Sequence, residues 1–316
     1  MKQTPLRGLP LPAKACAWRK AANQPNSTMQ RERASTPVAG PWHTLCQKLP
    51  RWAIFLALCA AQPMSSILAQ DGGVSVRGES NLAKLVPAAD VEQAAAQQYA
   101  ALKQEAAQKG MLAAPNDPQL QRVRAVAQRI MPFAAKWNSR AGNWKWEINL
   151  LKSNQINAFC MPGGKIAFYS GIIESLRLSD DEIAIVMGHE MSHALREHSR
   201  ARLAQQAATN IGASLLSRIF GFGDAGNAVL SASASLIGLR FSRDDETEAD
   251  AVGLELAARA GYDPRAGITL WQKMQASHRG GPPQWLSSHP ADGDRVAEIQ
   301  RHLPEVMPLY EAARRR

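Results

Sequence analysis

The stretch Gly188-His189-Glu190-Met191-Ser192-His193 constrains this chain more than any other. It lies in a run from Ser179 to Leu195 that reads as one long amphipathic helix. Ser179 followed three residues later by Glu182 is a capping box at its start, and Ile183, Ile185, Val186, Ala194 and Leu195 supply apolar contacts. On a helix, positions four apart differ by about 40° and lie one turn above each other. His189 and His193 therefore project from one ridge, and two such imidazoles can hold one zinc ion while leaving other coordination positions open. Glu190 sits about 60° to the side of His193, where its carboxylate reaches a water beside the ion without binding the ion itself. The pattern is H-E-x-x-H, in which the glutamate serves as the base for that water.

A zinc ion that does chemistry takes three protein ligands, so the two histidines need a partner from elsewhere. The segment Phe241-Ser-Arg-Asp-Asp-Glu-Thr-Glu-Ala-Asp250 offers one. Ser242 suits an N-cap, and the spacing predicts a helix from Asp244 through Ala257. Glu246 and Asp250 are again four apart and share a face. Glu246 is assigned to the metal, and Asp250 to accepting a ring N–H from a liganding histidine. Glu248 lies about 160° from Glu246 and faces elsewhere. Taken alone, the acidic helix start complements the helix dipole.

His198 is a weaker third ligand. On an uninterrupted helix it lies about 180° from His189 and 140° from His193, so a structural hydrogen bond across the helix is expected instead. Glu197 is expected to pair with Arg200 or another nearby cation. Further on, Trp285-Leu-Ser-Ser-His289-Pro290 reads as the opening of a helix that contains Arg295, with His289 and Pro290 as its N-terminal cap.

Charge is concentrated at one end. The formal net charge is +10, but residues 1–69 hold nine Lys or Arg and one acid, for +8, so about +2 remains for the other 247 residues. That distribution excludes nucleic-acid binding as the basis of function. Lys48 and Arg51 precede the apolar run Trp52–Ala61, and small residues lead to a polar start near Asp71. This order describes a secretory signal peptide, and the run is too short to span a bilayer comfortably. Cys59 follows Leu58 where a small residue would mark lipidation, so lipidation is not expected. Only Cys160 lies beyond the leader, and a single thiol forms no internal disulfide; it reads as a small buried apolar residue.

Asp90–Lys109, rich in Ala, Gln and Glu, predicts a helix ending at Gly110. After the loop Ala114–Pro118, apolar residues from Leu120 to Met131 recur at helical spacing up to Trp137. Trp144–Leu151 reads as a strand. Gln155–Met161 and Lys165–Tyr169 flank Pro162-Gly163-Gly164 as a hairpin. Residues 201–240 mix small and apolar residues, with Asn210, Arg218 and Asp224 interrupting; packed helices or a lid are expected there.

Together and in this order, these pieces resemble the zinc metallopeptidases that include the heat-shock protease HtpX and the CAAX prenyl endopeptidases. The likeness is strongest to the exported bacterial branch with LoiP and BepA. It covers Asn157-Ala-Phe with Pro162-Gly-Gly, His189-Glu190-x-x-His193-x-x-x-x-His198, Ser242-Arg243-x-x-Glu246-x-x-x-Asp250, and His289-Pro290-x-x-x-x-Arg295. The resemblance implies an α+β, mainly α-helical, zincin-like fold with a small β-sheet beside the active-site helix. It implies one Zn(2+) per chain on His189, His193 and Glu246, with Glu190 as general base. His289 and Arg295 match positions that stabilise the transition state or, in some relatives, close over the zinc as a gate.

Three segments follow: a basic leader plus signal peptide (1–70), an N-terminal linker and helix (71–115), and a zinc metallopeptidase domain (116–316). The implied activity is proteolysis of unfolded or misassembled cell-envelope proteins in the periplasm or on the periplasmic face of the outer membrane. Substrate would run along the edge strand at Asn157, Ala158 and Phe159. The membrane helices of HtpX have no counterpart in the sequence, which favours a soluble or peripherally membrane-associated enzyme; no repeat array like that of BepA follows Arg295, so its partner-docking surface is not carried over. No feature sets an oligomeric state. The runner-up function is an envelope chaperone or assembly factor with a structural or gated zinc.

Overall fold

A computed structural model describes residues 72–211, 236–277, 283–290 and 294–316. The leader with its apolar run and Cys59, and the centre of the apolar stretch at 212–235, lie outside the described residues together with the expectations placed on them. Helix α1 (Ala88–Gln108) ends at Lys109 and Gly110, the latter in the left-handed conformation that glycine adopts freely. Helix α2 (Pro118–Ile130) starts where the Asp117 carboxylate accepts the N–H groups of Gln119 and Leu120. It buries Leu120, Val123, Val126, Ala127 and Ile130. The helical spacing read onward to Trp137 instead tightens into a 3-10 segment, Met131–Lys136. Pro132 has no N–H with which to continue the α-helical ladder.

The sheet holds β1 (Glu147–Leu151), β2 (Ala158–Met161) and β3 (Lys165–Tyr169). The hairpin forms as the turn residues dictate, with β2 antiparallel to β3 and Cys160 opposite Ile166. Strand β1 pairs parallel to β3 on its other side, giving the order β1-β3-β2. All of β3 is buried, as a central strand covered on both faces should be. Strand β2 is left at an edge, packed against the helix that carries His189.

That helix follows the short α3 (Ser170–Ser175) and is labelled α4 (Asp180–Leu195). Its capping box is present: Ser179 Oγ accepts the Glu182 N–H, and the Glu182 carboxylate accepts the Ser179 N–H. One expectation fails here. Helix α4 is not amphipathic but buried on all sides from Glu182 to Leu195. It is the central helix, enclosed by α2, β2, α6 (Arg243–Arg259) and α7 (Ala266–Ala276). Its polar residues face inward.

Two glycines set how closely α4 and α6 cross. A Cβ on Gly188 would lie 2.5 Å from the Gly253 carbonyl oxygen, and one on Gly253 would lie 2.7 Å from the His189 nitrogen. The two backbones touch because neither residue carries a side chain. Ser242 caps α6 with a second box, closed by Asp245.

Two further expectations need correction. The chain does not run straight from His193 to His198: it breaks at Arg196 and at Glu197, whose φ is 57°, and restarts as α5 (His198–Ile211). Nor does His289 cap the helix that contains Arg295. It closes the short α8 (Gln284–Ser288), and α9 (Arg295–Arg314) has its own cap in Asp294, which accepts the Ala297 N–H. The residue before a proline avoids helical backbone, so His289 ends a helix rather than starting one. Among the described residues, no helix is long and apolar enough to cross a membrane.

Candidate metal centre

Four side chains from three parts of the chain converge: His189 and His193 from α4, Glu246 from α6, and His289 from the end of α8. Each offers one donor atom, and these atoms lie within 4.8 Å of one another. The Nε2 atoms of His189 and His193 are 3.1 Å apart. Glu246 lies 3.5 Å from the first and 3.4 Å from the second. His289 Nδ1 is 3.2 Å from His189 Nε2 and 3.1 Å from Glu246 Oε1. All four residues are at most 2% exposed, so the cluster is closed to bulk water.

Supporting residues decide which nitrogens carry lone pairs. Asp250 takes two charge-assisted hydrogen bonds from Arg295, Nε to Oδ2 and Nη2 to Oδ1, each 2.6 Å. Its Oδ1 also lies 3.0 Å from His189 Nδ1. An ionised carboxylate only accepts, so His189 donates from Nδ1 and its Nε2 lone pair points into the cluster. Arg295 Nη1 donates to Glu246 Oε2 at 2.9 Å, and its guanidinium lies over the Trp271 ring at 4.3 Å. One arginine thus steadies two acids one helical turn apart. On the other side, His193 Nδ1 lies 3.0 Å from His198 Nδ1, and Phe241 stacks on the His193 ring at 3.8 Å.

The charges agree with this layout. Burial pushes Asp250 up, but Arg295 and His189 outweigh it and hold the carboxyl at about 2. Burial likewise opposes the charge on Glu246, yet His289, His189 and Arg295 keep its pKa below the ordinary value. Burial, reinforced by the neighbouring His189, His289 and His198, drives His193 well below the usual imidazole range, so its ring is neutral. For His289 burial acts downward, and the facing carboxylates of Glu190 and Glu246 win, raising its pKa.

The donor set fits a zinc ion. Two buried imidazole nitrogens and a buried carboxylate face each other, and a shared cation is what such a group of lone pairs requires. His189, His193 and Glu246 would hold the ion, and His289 Nδ1 lies against two of these donors. Glu190 is beside rather than among them. The Trp285 indole N–H donates to Glu190 Oε1 at 2.6 Å, and His289 Nε2 lies 3.5 Å from the same oxygen.

The geometry agrees with what similarity shows. Residues 118–303 match the family described as Peptidase family M48. The chain belongs to peptidase family M48. Its M48 domain is a zinc metallopeptidase domain of the zincin-like, mainly helical kind. The chain is similar to the mitochondrial metalloendopeptidase OMA1 of Saccharomyces cerevisiae, 30% identical over 209 residues, which are 62% of this chain and 59% of that protein. It is 33% identical over 172 residues to OMA1 of Schizosaccharomyces pombe, covering 54% of this chain and 50% of that one. With the beta-barrel assembly-enhancing protease of Escherichia coli it shares 30% identity over 208 residues, covering 61% and 41%. The chain thus spans about half the length of the curated relatives it matches.

The M48 domain brings His189, Glu190, His193, Glu246, Asp250, His289 and Arg295 into one buried cluster. Asn157 immediately precedes β2, and Ala158 and Phe159 lie on it. Glu248 turns away, as its angle on the helix requires, to Arg196 and Arg77. Glu197 pairs with Arg200 and also with Arg140. Trp285 as the holder of Glu190, and Phe241 as the plate beneath His193, were missed. Both sit inside the quoted motifs, but aromatic residues at those positions read equally well as core.

Proposed function

We propose that the chain is an exported zinc metalloendopeptidase, one ion per chain, that cleaves unfolded or misassembled proteins of the cell envelope in the periplasm or on the periplasmic face of the outer membrane. The observation that carries this reading is the convergence of His189, His193 and Glu246, with Glu190 beside them and outside the donor set. The basic leader with its apolar run supports export, and the likeness to the beta-barrel assembly-enhancing protease of Escherichia coli supports an envelope role.

His189, His193 and Glu246 would hold the zinc, which would supply Lewis acidity for the scissile carbonyl and the attacking water. Glu190 takes the proton from that water and delivers it to the leaving amine. The Trp285 N–H fixes the orientation of the Glu190 carboxylate. Arg295 and Asp250 hold Glu246 and His189 in place. Substrate lies extended along the outer edge of β2 from Asn157 to Phe159, joined by main-chain hydrogen bonds, which favours unfolded segments over a defined sequence. Just upstream, the Ile156 carbonyl already accepts the Trp285 backbone N–H at 3.0 Å, so α8 bounds the edge available to substrate.

Glu190→Gln tests the assignment. The variant retains zinc and loses casein cleavage by orders of magnitude; undiminished cleavage would refute it. The buried approach of His289 to His189 and Glu246 favours one second reading, a chaperone or assembly factor whose zinc stays shut behind that ring. Casein cleavage by the wild type or by His289→Ala supports the peptidase, whereas silence from both supports the chaperone.

A further inference from the structure

We propose that His198 is a positioning residue for the metal: its Nδ1 accepts the ring N–H of His193, turning the His193 Nε2 lone pair to the ion, while Glu248 holds the His198 ring from behind. The inference rests on the metal-centre reading above and adds a part to it.

A neutral imidazole carries one N–H. If His193 Nε2 faces the ion, the hydrogen is on Nδ1 and needs an acceptor, because the ring is 1% exposed. The group within reach of Nδ1 is His198 Nδ1, at 3.0 Å. For it to accept, the hydrogen of His198 must sit on Nε2. That atom faces Glu248 Oε2 at 3.8 Å, an electrostatic contact beyond hydrogen-bond length. Glu248 is fixed in turn by Arg196, and by Arg77 at 3.2 Å.

The backbone is shaped to make this arrangement. On a continuing helix the His198 ring would point about 140° away from His193. The left-handed turn at Glu197 brings it back, and Arg140 and Arg200 both pair with that side chain. A residue that only filled space would not need its nitrogen aimed at a buried imidazole.

The test is zinc affinity of the full chain, measured by competition with a chromophoric chelator, alongside thermal melting of the metal-free protein. His198→Leu binds zinc ~10–100-fold more weakly than wild type. His198→Asn, whose amide oxygen can occupy the Nδ1 position, recovers most of that loss. His198→Gln places its amide at the far end instead and does not recover it, so the Asn and Gln pair decides even if the Leu variant fails to fold. Zinc affinity of His198→Leu within twofold of wild type, or Asn no better than Gln, would overturn the proposal. A wild type that binds no zinc would overturn the metal-centre reading first and this one with it.

Discussion

Two histidines one turn apart on α4 face the same centre, yet their far nitrogens are held in different ways. His189 rests on a carboxylate at 3.0 Å that is itself clamped by two hydrogen bonds from Arg295. His193 rests on another imidazole, whose carboxylate lies 3.8 Å further out. The first support is charged and joins two helices, since Arg295 of α9 binds both Asp250 and Glu246 of α6. The second is a ring-to-ring contact and depends on a local break in the chain at Glu197. On one side a guanidinium grips the supporting carboxylate directly; on the other the support is an imidazole aimed by the break at Glu197, with the ion pairs of Glu197 and Glu248 one step further out, so different substitutions should break each.

The largest effect is expected on the His189 side. Arg295→Ala leaves Asp250 and Glu246 buried with their shared cation gone, and should cost the metal-free protein about 3–5 kcal/mol in chemical denaturation. Arg295→Lys should not restore it, because a single ammonium cannot reproduce three directed hydrogen bonds. Equal stability of wild type and Arg295→Ala would show that the two sides are supported alike. Next, Gly253→Ala forces α4 and α6 apart where their backbones touch. A loss of about 1–3 kcal/mol is expected, with weaker zinc binding because Glu246 moves relative to both histidines. No change in either quantity would mean the crossing has slack.

A smaller effect compares the outer carboxylates. Asp250 and Glu248 are both held at about 2, against burial, by Arg295 and His189 in one case and by His198 and Arg196 in the other. Their folded pKa values lie below the ordinary values near 4. Their stabilisation is therefore complete above about pH 4–5 and is lost as pH falls toward 2, on the order of 1–3 kcal/mol each. Denaturation of the metal-free protein from pH 5 to 2 should show that decline, and Asp250→Asn and Glu248→Gln should each flatten it. A slope unchanged in Glu248→Gln would place that residue outside the stabilising network. The smallest is Ser179→Ala, which removes the α4 cap and should cost about 1 kcal/mol with zinc affinity unaltered, since both histidines lie more than two turns away.

What could be read in advance follows the range of each interaction. The capping box at Ser179, the N-cap at Ser242, the hairpin turn and the facing pair Glu246 and Asp250 are written in residues a few positions apart, and the helix and turn rules expose them; that Asp245 closes a second box appears only in the structure. The burial of α4 on every side is not local. Apolar Ile183, Val186 and Met187 and polar His189, Glu190 and His193 are interleaved around the helix, and only the elements packed on every side show that both kinds are buried. The break at Glu197 carries no glycine or proline to announce it; Arg140, more than fifty residues upstream, helps to hold it. Gly253 reads as a helix weakness until Gly188 is seen against it. The parallel pairing of β1 with β3 likewise needs the hairpin already in place.

The most direct test of the central claim, that donors from α4 and α6 share one zinc ion, is zinc content of the purified chain by inductively coupled plasma mass spectrometry. It compares wild type with His193→Ala and Glu246→Ala. One zinc per chain is expected in the wild type and little in either variant. A full equivalent retained by both variants would contradict the claim.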